Sequence, residues 1–156
     1  TAVYTFSNPL VTAGILSGME KDEIEKLHAI GIDIGIIFQI KDDELGIFGT
    51  EEKIGKPIGG DLSEDKKTIF RFFLFEKASK QDRIALAKIF GNLKITKENI
   101  EFVKSKIQEY GVGEAVNIEI NKYVTSAEKK IKELKTSDKF RQFLHVILTN
   151  SLKRLS

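Results

Sequence analysis

Apolar residues recur at three- and four-residue spacing along most of this chain, the period of an α-helix packed on one face. From Asp22, Ile24, Leu27, Ile30, Ile34, Ile37, Phe38, Ile40 and Leu45 form an apolar surface wider than one stripe. That width predicts a central helix from Asp22, as N-cap with Glu25 three residues on, to about Leu45. Gly31 and Gly35, four apart, lie on one helix face and predict close approach of another backbone. Residues 2–18 are mostly apolar with small residues interspersed. They predict a buried helix, kinked near Pro9 and ending at Gly18. The segment starts abruptly at Thr1, as if inside an element whose beginning is missing.

Further on, residues 68–78 (TIFRFFLFEKA) fit helix or strand by period, and their helical neighbours favour helix. Their phenylalanines are expected in the core. A short amphipathic helix is predicted over 80–90. Thr96 caps another, through Tyr110, with Ile100, Val103 and Ile107 inward. A longer helix spans 112–135. The last is capped by Ser137 or Asp138, with Phe140, Phe143, Leu144, Ile147 and Leu148 inward. His28 and His145 lie on apolar faces and are expected to be packed rather than to bind a metal. Only two prolines occur in 156 residues, which suits long helices. The predicted class is all-α, in a single domain portion over 1–156.

Composition narrows the function classes. Lys and Arg number 25 against 23 Asp and Glu, and the net charge of +2 is too balanced to imply a nucleic-acid partner. With no cysteine there is neither a disulfide framework nor a thiolate metal site. That is compatible with a reducing cytoplasm, the setting expected here. Asp33, Arg71 and glycines interrupt the apolar stretches, so no membrane span is predicted. The N-terminus lacks the pattern of a signal peptide, and none is expected.

Candidate chemistry concentrates at 38–67. Asp42 and Asp43 close the apolar run, and residues 46–67 hold five of the twelve glycines. So long an irregular segment in a compact domain is usually functional or disordered, and its position after the acids favours function. Adjacent acids on a helix diverge by about 100°, so one can hold a cation while the other orients it or a ligand. With no His or Cys nearby, the metal would be Mg²⁺. A solvated helix end with two stray acids is the competing reading, and there both would oppose the helix dipole. Gly55, Gly59 and Gly60 permit close backbone approach, Lys56 can offer a charge to phosphate, and Lys66 and Lys67 precede the next helix. Asp61 is placed to fix a lysine or cap the turn. No Ser/His/Asp or Cys/His grouping is present, and the P-loop spacing is absent.

The stretches FQIKDDELGIFG, GKPIGGDL and KKT together resemble the second aspartate-rich region of trans-isoprenyl diphosphate synthases, the farnesyl and geranylgeranyl diphosphate synthase family. TAVYTF, PL and AGILSG resemble an earlier family helix that opens with Lys-Thr, here beginning at the Thr. The match is close over residues 1–70.

The resemblance implies a bundle of mostly antiparallel helices around a central cavity, of which this chain is the C-terminal half. It implies a Mg²⁺-dependent prenyltransferase that joins isopentenyl diphosphate to an allylic diphosphate in 1'-4 head-to-tail elongation. Asp42 would be the metal ligand with Asp43 beside it, Lys56 would bind the allylic diphosphate and Lys66 would assist. Phe38 and Gln39 would face the carbocation or the condensing substrate, and Thr1 and Tyr4 would line the same cavity. A homodimer is expected.

Two departures stand out. The third aspartate of the motif is replaced by Gly46, and the first aspartate-rich motif, expected upstream, is absent. The fragment alone is therefore expected to be inactive, its missing N-terminal half supplying that motif. The alternative is a non-catalytic subunit that regulates a partner synthase. A related terpene synthase is a third, weaker reading, because Lys56 and its loop suit chain elongation better.

Overall fold

Every regular element among the described residues is helical, as the pattern predicts. The computed structural model describes residues 1–49 and 59–153. A π-helical turn at Ala2–Ser7 leads into α1 (Asn8–Leu16). The central helix α2 (Lys21–Phe48) follows. After it come α3 (Gly60–Ser63), α4 (Ile69–Lys77), α5 (Lys80–Ile89), α6 (Lys97–Glu109), α7 (Val112–Glu133) and α8 (Asp138–Leu152). The chain forms two compact units, Thr1–Lys41 with Glu119–Ser156, and Asp42–Ile118.

In the first unit the two glycines of α2 act as the spacing predicts. A Cβ at Gly31 would lie 2.5 Å from Ser7 Cα, and one at Gly35 would lie 2.4 Å from Ala2 Cα. Hydrogen in place of a methyl group lets the π-helical turn rest directly on α2. Ser7 Oγ is 2.6 Å from His28 Nδ1 and ties the two further. Pro9, which lacks an N–H, falls in the first turn of α1, where none is needed. The helix type changes just before it, at the place where a kink is expected.

The same close approach corrects the expectation that residues 2–18 are buried. Small residues make the contact: Ser7 is fully buried, and a Cβ at Gly14 would meet Leu27 Cδ1 at 3.0 Å. The large apolar side chains Val3, Tyr4, Ile15 and Leu16 point away and are exposed.

Buried polar groups along α2 are matched. Glu23 accepts hydrogen bonds from Lys26 Nζ at 2.7 Å and from the Lys135 backbone N–H at 2.6 Å. Asp33 accepts one from Lys130 Nζ at 2.6 Å, and Lys130 also reaches Ser126. The helix starts at Lys21, so Asp22 stands in its first turn rather than at the cap. Ser137, not Asp138, caps α8, accepting from the Phe140 N–H. Leu144 and Leu148 are buried, but Phe143 stacks on Phe140 and is exposed. His145 is exposed rather than packed, and His28, also exposed, is held by Ser7.

The second unit takes the last turns of α2, then α3 to α6 and the start of α7. Thr68, Ser79 and Thr96 each accept a backbone N–H at a helix start, and Thr96 with Asn99 completes a capping box. Such caps contribute about 1 kcal/mol each. Ile100, Val103 and Ile107 are buried on α6, as predicted. On α4 only part of the expected aromatic core is inward. Phe70 and Leu74 are buried, Phe72 is exposed, and Phe75 lies under the Arg71 guanidinium at 4.5 Å.

Candidate functional site

Phe38, Gln39, Asp42 and Asp43 all lie on α2, which supplies two pairs at i, i+4 spacing, Phe38 with Asp42 and Gln39 with Asp43. The helix runs on to Phe48, closed by the Gly49 N–H on the Leu45 carbonyl at 2.8 Å. The acids therefore stand inside the helix rather than at its end. The dipole penalty expected of a terminal pair falls off within the last turn, so it does not apply here.

In the first unit the structure joins two of the predicted residues. Thr1 Oγ1 donates to Gln39 Oε1 at 2.6 Å. Phe38 packs on Phe6, with ring centroids 5.0 Å apart. Phe6 was not among the predicted site residues. Its signal was the glycine pair, which brings the turn carrying Phe6 onto α2. Tyr4 is 82% exposed. The π-helical turn between Thr1 and Tyr4 is wider than an α-turn, so spacing by three does not align the two residues as it would in an α-helix.

In the second unit Asp43 is 6% exposed and is not a solvated stray acid. Its Oδ1 accepts a hydrogen bond from Lys66 Nζ at 2.8 Å, and Lys66 also reaches Asp61 Oδ2 at 3.3 Å. Partial burial works against the Lys66 charge. Burial is the largest single effect, but the hydrogen bonds and charges of Asp43 and Asp61 together outweigh it, and the ammonium is held above the usual lysine range. Asp61 thus fixes a lysine, one of the two roles its position suggested. Asp42 is half-buried. Lys56 lies outside the described residues.

Local backbone explains how Asp61 and Lys66 are placed. Gly59 precedes α3 with φ +91, and a Cβ there would sit 2.9 Å from Ile100 Cδ1, so only glycine suits the position. The Lys66 N–H bonds the Asp61 carbonyl at 2.9 Å, which closes the turn between them. Asp65 adopts φ +50 and binds Lys67 and the Arg71 Nε.

The donor set fits Mg²⁺, which binds hard oxygen and is commonly held by one or two carboxylates with phosphates and water. Among the described residues no group of three or more His, Cys, Asp or Glu gathers to hold a metal on protein ligands alone. Also among the described residues, no helix is long and apolar enough to cross a membrane. A separate cleft of about 490 Å³, lined by Glu44, Phe48, Phe70, Glu101 and Lys104 among others, does not include Asp42, Asp43 or Lys66.

Comparison with known proteins finds relatives of this chain. The family model described as polyprenyl synthetase matches residues 1–110. The geranylgeranyl diphosphate synthase of Saccharolobus solfataricus is 34% identical over 134 residues, covering 86% of this chain and 40% of that relative. The farnesyl diphosphate synthase of Micrococcus luteus is 46% identical over 72 residues, covering 46% of this chain and 24% of that relative. A crystal structure of geranylgeranyl pyrophosphate synthase from Corynebacterium glutamicum, complexed with isoprenyl diphosphate and magnesium, superposes with a TM-score of 0.88. It is 30% identical, and the match covers 99% of this chain and 44% of that one. The chain thus spans about 40% of the length of the first curated relatives it matches.

Proposed function

Because the chain belongs to the polyprenyl synthetase family, we propose that it is the C-terminal half of a Mg²⁺-dependent prenyl diphosphate synthase. The whole protein condenses an allylic diphosphate with isopentenyl diphosphate, head to tail, in the cytoplasm and as a homodimer. The observation that carries this reading is the acidic pair on α2 with Lys66 bonded to Asp43 at 2.8 Å. It lies within residues 1–110, which match the family model.

In this reading Asp42 holds Mg²⁺ and Asp43 supports it. The ion that these residues would hold would supply electrostatic stabilisation of the diphosphate leaving group. Lys56 adds a point charge to the same diphosphate from within segment 46–67, the expected functional loop, whose first residues belong to α2 and whose Gly60–Ser63 form α3. Gln39, oriented by its bond from Thr1 at 2.6 Å, presents a dipole to the allylic cation. Phe38, braced by Phe6, walls the apolar side of the cavity. Tyr4 lines the cavity from the π-helical turn. The exposed apolar residues Val3, Ile15 and Leu16 meet the N-terminal half, which carries the other aspartate-rich motif.

The test is turnover of the complete protein with an allylic diphosphate, isopentenyl diphosphate and Mg²⁺. Asp42→Ala should lower kcat/KM by at least about a hundredfold, and the isolated 156-residue chain should form no product. Robust product from that chain alone would refute the reading. Gly46, standing where the motif places a third acid, favours the alternative of a non-catalytic regulatory subunit. For such a subunit Asp42→Ala would leave the partner's turnover unchanged.

A further inference from the structure

Positive charge is unevenly spread along the chain. Between Lys77 and Lys97 stand five lysines and one arginine against a single acid, Asp82, a net charge of +5 in a chain whose whole net charge is +2. Asp82 is already engaged by the end of α6. Its Oδ2 accepts from Tyr110 Oη at 2.6 Å and lies 3.1 Å from Lys106 Nζ. Lys80, Lys88, Lys94 and Lys97 are exposed. Two large aliphatic side chains stand among them. Ile84, one helical turn from both Lys80 and Lys88 on α5, is 55% exposed, and Leu93, in the turn after α5, is 86% exposed. No large apolar side chain among the described residues is more exposed than Leu93. The turn that carries it is fixed. Gly91 adopts φ +83, and its N–H bonds the Leu62 carbonyl at 2.9 Å. Asn92 Oδ1 accepts from the Lys94 N–H at 2.9 Å. The backbone on both sides of Leu93 thus holds it outward between lysines.

We propose that α5 and the turn after it form a surface that docks on an anionic lipid bilayer, the lysines meeting headgroup phosphates and Ile84 and Leu93 entering the interface beneath. Basic side chains are drawn to such a surface from a Debye length away, and aliphatic tips add burial once they arrive. Other occupants fit less well. A second copy, in a two-fold contact, would bring the same strip against itself, and like charges would oppose it. Single-stranded nucleic acid is held by aromatic side chains on which bases stack. The one aromatic between Lys77 and Lys97 is Phe90, which is half-buried and packs on Phe75 with ring centroids 5.4 Å apart. Aliphatic tips set among lysines match instead a layer that is charged outside and apolar just below. The contact is peripheral, since among the described residues no helix is long and apolar enough to cross a membrane. Its use rests on the synthase reading, in which a product with a lengthening apolar chain leaves next to a bilayer that can take it up. The docking itself does not rest on that reading.

The test is co-sedimentation of the complete protein with vesicles of phosphatidylcholine alone and with about one third phosphatidylglycerol. The parent should bind the anionic vesicles at least about tenfold more tightly than the neutral ones, and salt at about 1 M should abolish the difference. Lys88→Gln with Lys94→Gln should weaken binding about fivefold for each charge removed. Leu93→Ser should weaken it about tenfold, through lost burial rather than lost charge. Leu93→Trp should keep the binding, and the emission it adds over the parent should shift to the blue on anionic vesicles. All of these residues are exposed, so melting temperatures and turnover in vesicle-free solution should stay at parent values. Equal binding to the two kinds of vesicle, or none, overturns the proposal. So does a Leu93→Ser protein that binds as the parent does while the lysine variant loses binding to vesicles and to a short RNA alike, which would make the strip a general polyanion surface. A Leu93→Trp emission already blue without vesicles and unmoved by them would show the tip covered by the rest of the protein or a second copy, and also overturns it. A complete protein with no turnover would refute the synthase reading, while vesicle binding would still decide the docking.

Discussion

The Asp33 carboxylate on α2 accepts a 2.6 Å hydrogen bond from the Lys130 ammonium on α7, 97 residues away in sequence. Asp33 is 7% exposed and interrupts an otherwise apolar helix surface. A carboxylate in that position must be compensated, because an isolated buried charge is far more costly than a paired one. Removing Lys130 alone should therefore be the harsher change. Lys130→Met is expected to destabilise the protein by about 3 kcal/mol, read from the urea midpoint. Adding Asp33→Leu to it should recover most of that loss, since two apolar side chains leave no unpaired charge. Additive losses in the double variant would show that the pair contributes through packing rather than charge.

The glycines of α2 give a second, steric prediction. Gly35→Ala places a methyl group 2.4 Å from the Ala2 backbone, which cannot move like the end of a flexible side chain. The π-helical turn must lift, at about 1–3 kcal/mol, and the Thr1–Gln39 bond at its start should weaken with it. Gly113→Ala is the matched control. It lies in α7 with nothing within 4 Å of the added atom and no positive φ, so a gain of about 0.5–1 kcal/mol is expected. Thermal unfolding of the two variants should move in opposite directions.

These two cases mark what a sequence can reveal. Glycines four apart on an apolar helix require a close neighbour, and that was legible, as were the helices, their caps at Thr96 and Ser137, and the acidic pair. Which side chains would be left uncovered was not. Periodicity identifies an apolar face but not what the chain has available to cover it, so Tyr4, Ile15, Leu16 and Phe143 were expected inward and are exposed. The π-helical turn was also hidden, because no residue type demands it; it follows from the fit of Ala2 and Ser7 onto Gly35 and Gly31. At the site, Asp61 and Lys66 were individually visible as charged residues. Their shared contact with Asp43 depends on the path of the chain through Gly59, which local pattern does not encode.

Acid should weaken the second unit through Asp65. Its carboxyl is held below the ordinary carboxylate range, first by the hydrogen bond from Lys67 and also by Arg71, against an opposing effect of burial. A folded-state value below the unfolded one, about 3.9, means that this stabilisation is present above about pH 4. It is lost as pH falls through the folded value. Asp65→Asn removes the charge but keeps a residue that tolerates the observed φ of +50. The variant should be less stable than the parent at pH 7, and the two should converge by about pH 2–3. Urea midpoints measured from pH 2 to 7 test this, and a difference independent of pH would reject it.

Thr1 offers the most direct separation of stability from function. Its hydroxyl donates to Gln39 Oε1 at 2.6 Å in an exposed setting, where one hydrogen bond contributes little to folding. Thr1→Val keeps the branched shape and deletes only the donor, so the unfolding free energy should change by no more than about 0.5 kcal/mol. If the proposed role of Gln39 is correct, losing the bond removes one tether of its amide and shifts the dipole aimed at the developing cation. Small losses of orientation are expensive at a reacting centre, and kcat should fall about tenfold with little change in the KM for either diphosphate. Gln39→Glu retains an oxygen to accept from Thr1 while adding a charge, and should fall with it in kcat but not in stability. A Thr1→Val enzyme with unchanged kcat would remove the orienting role from this bond.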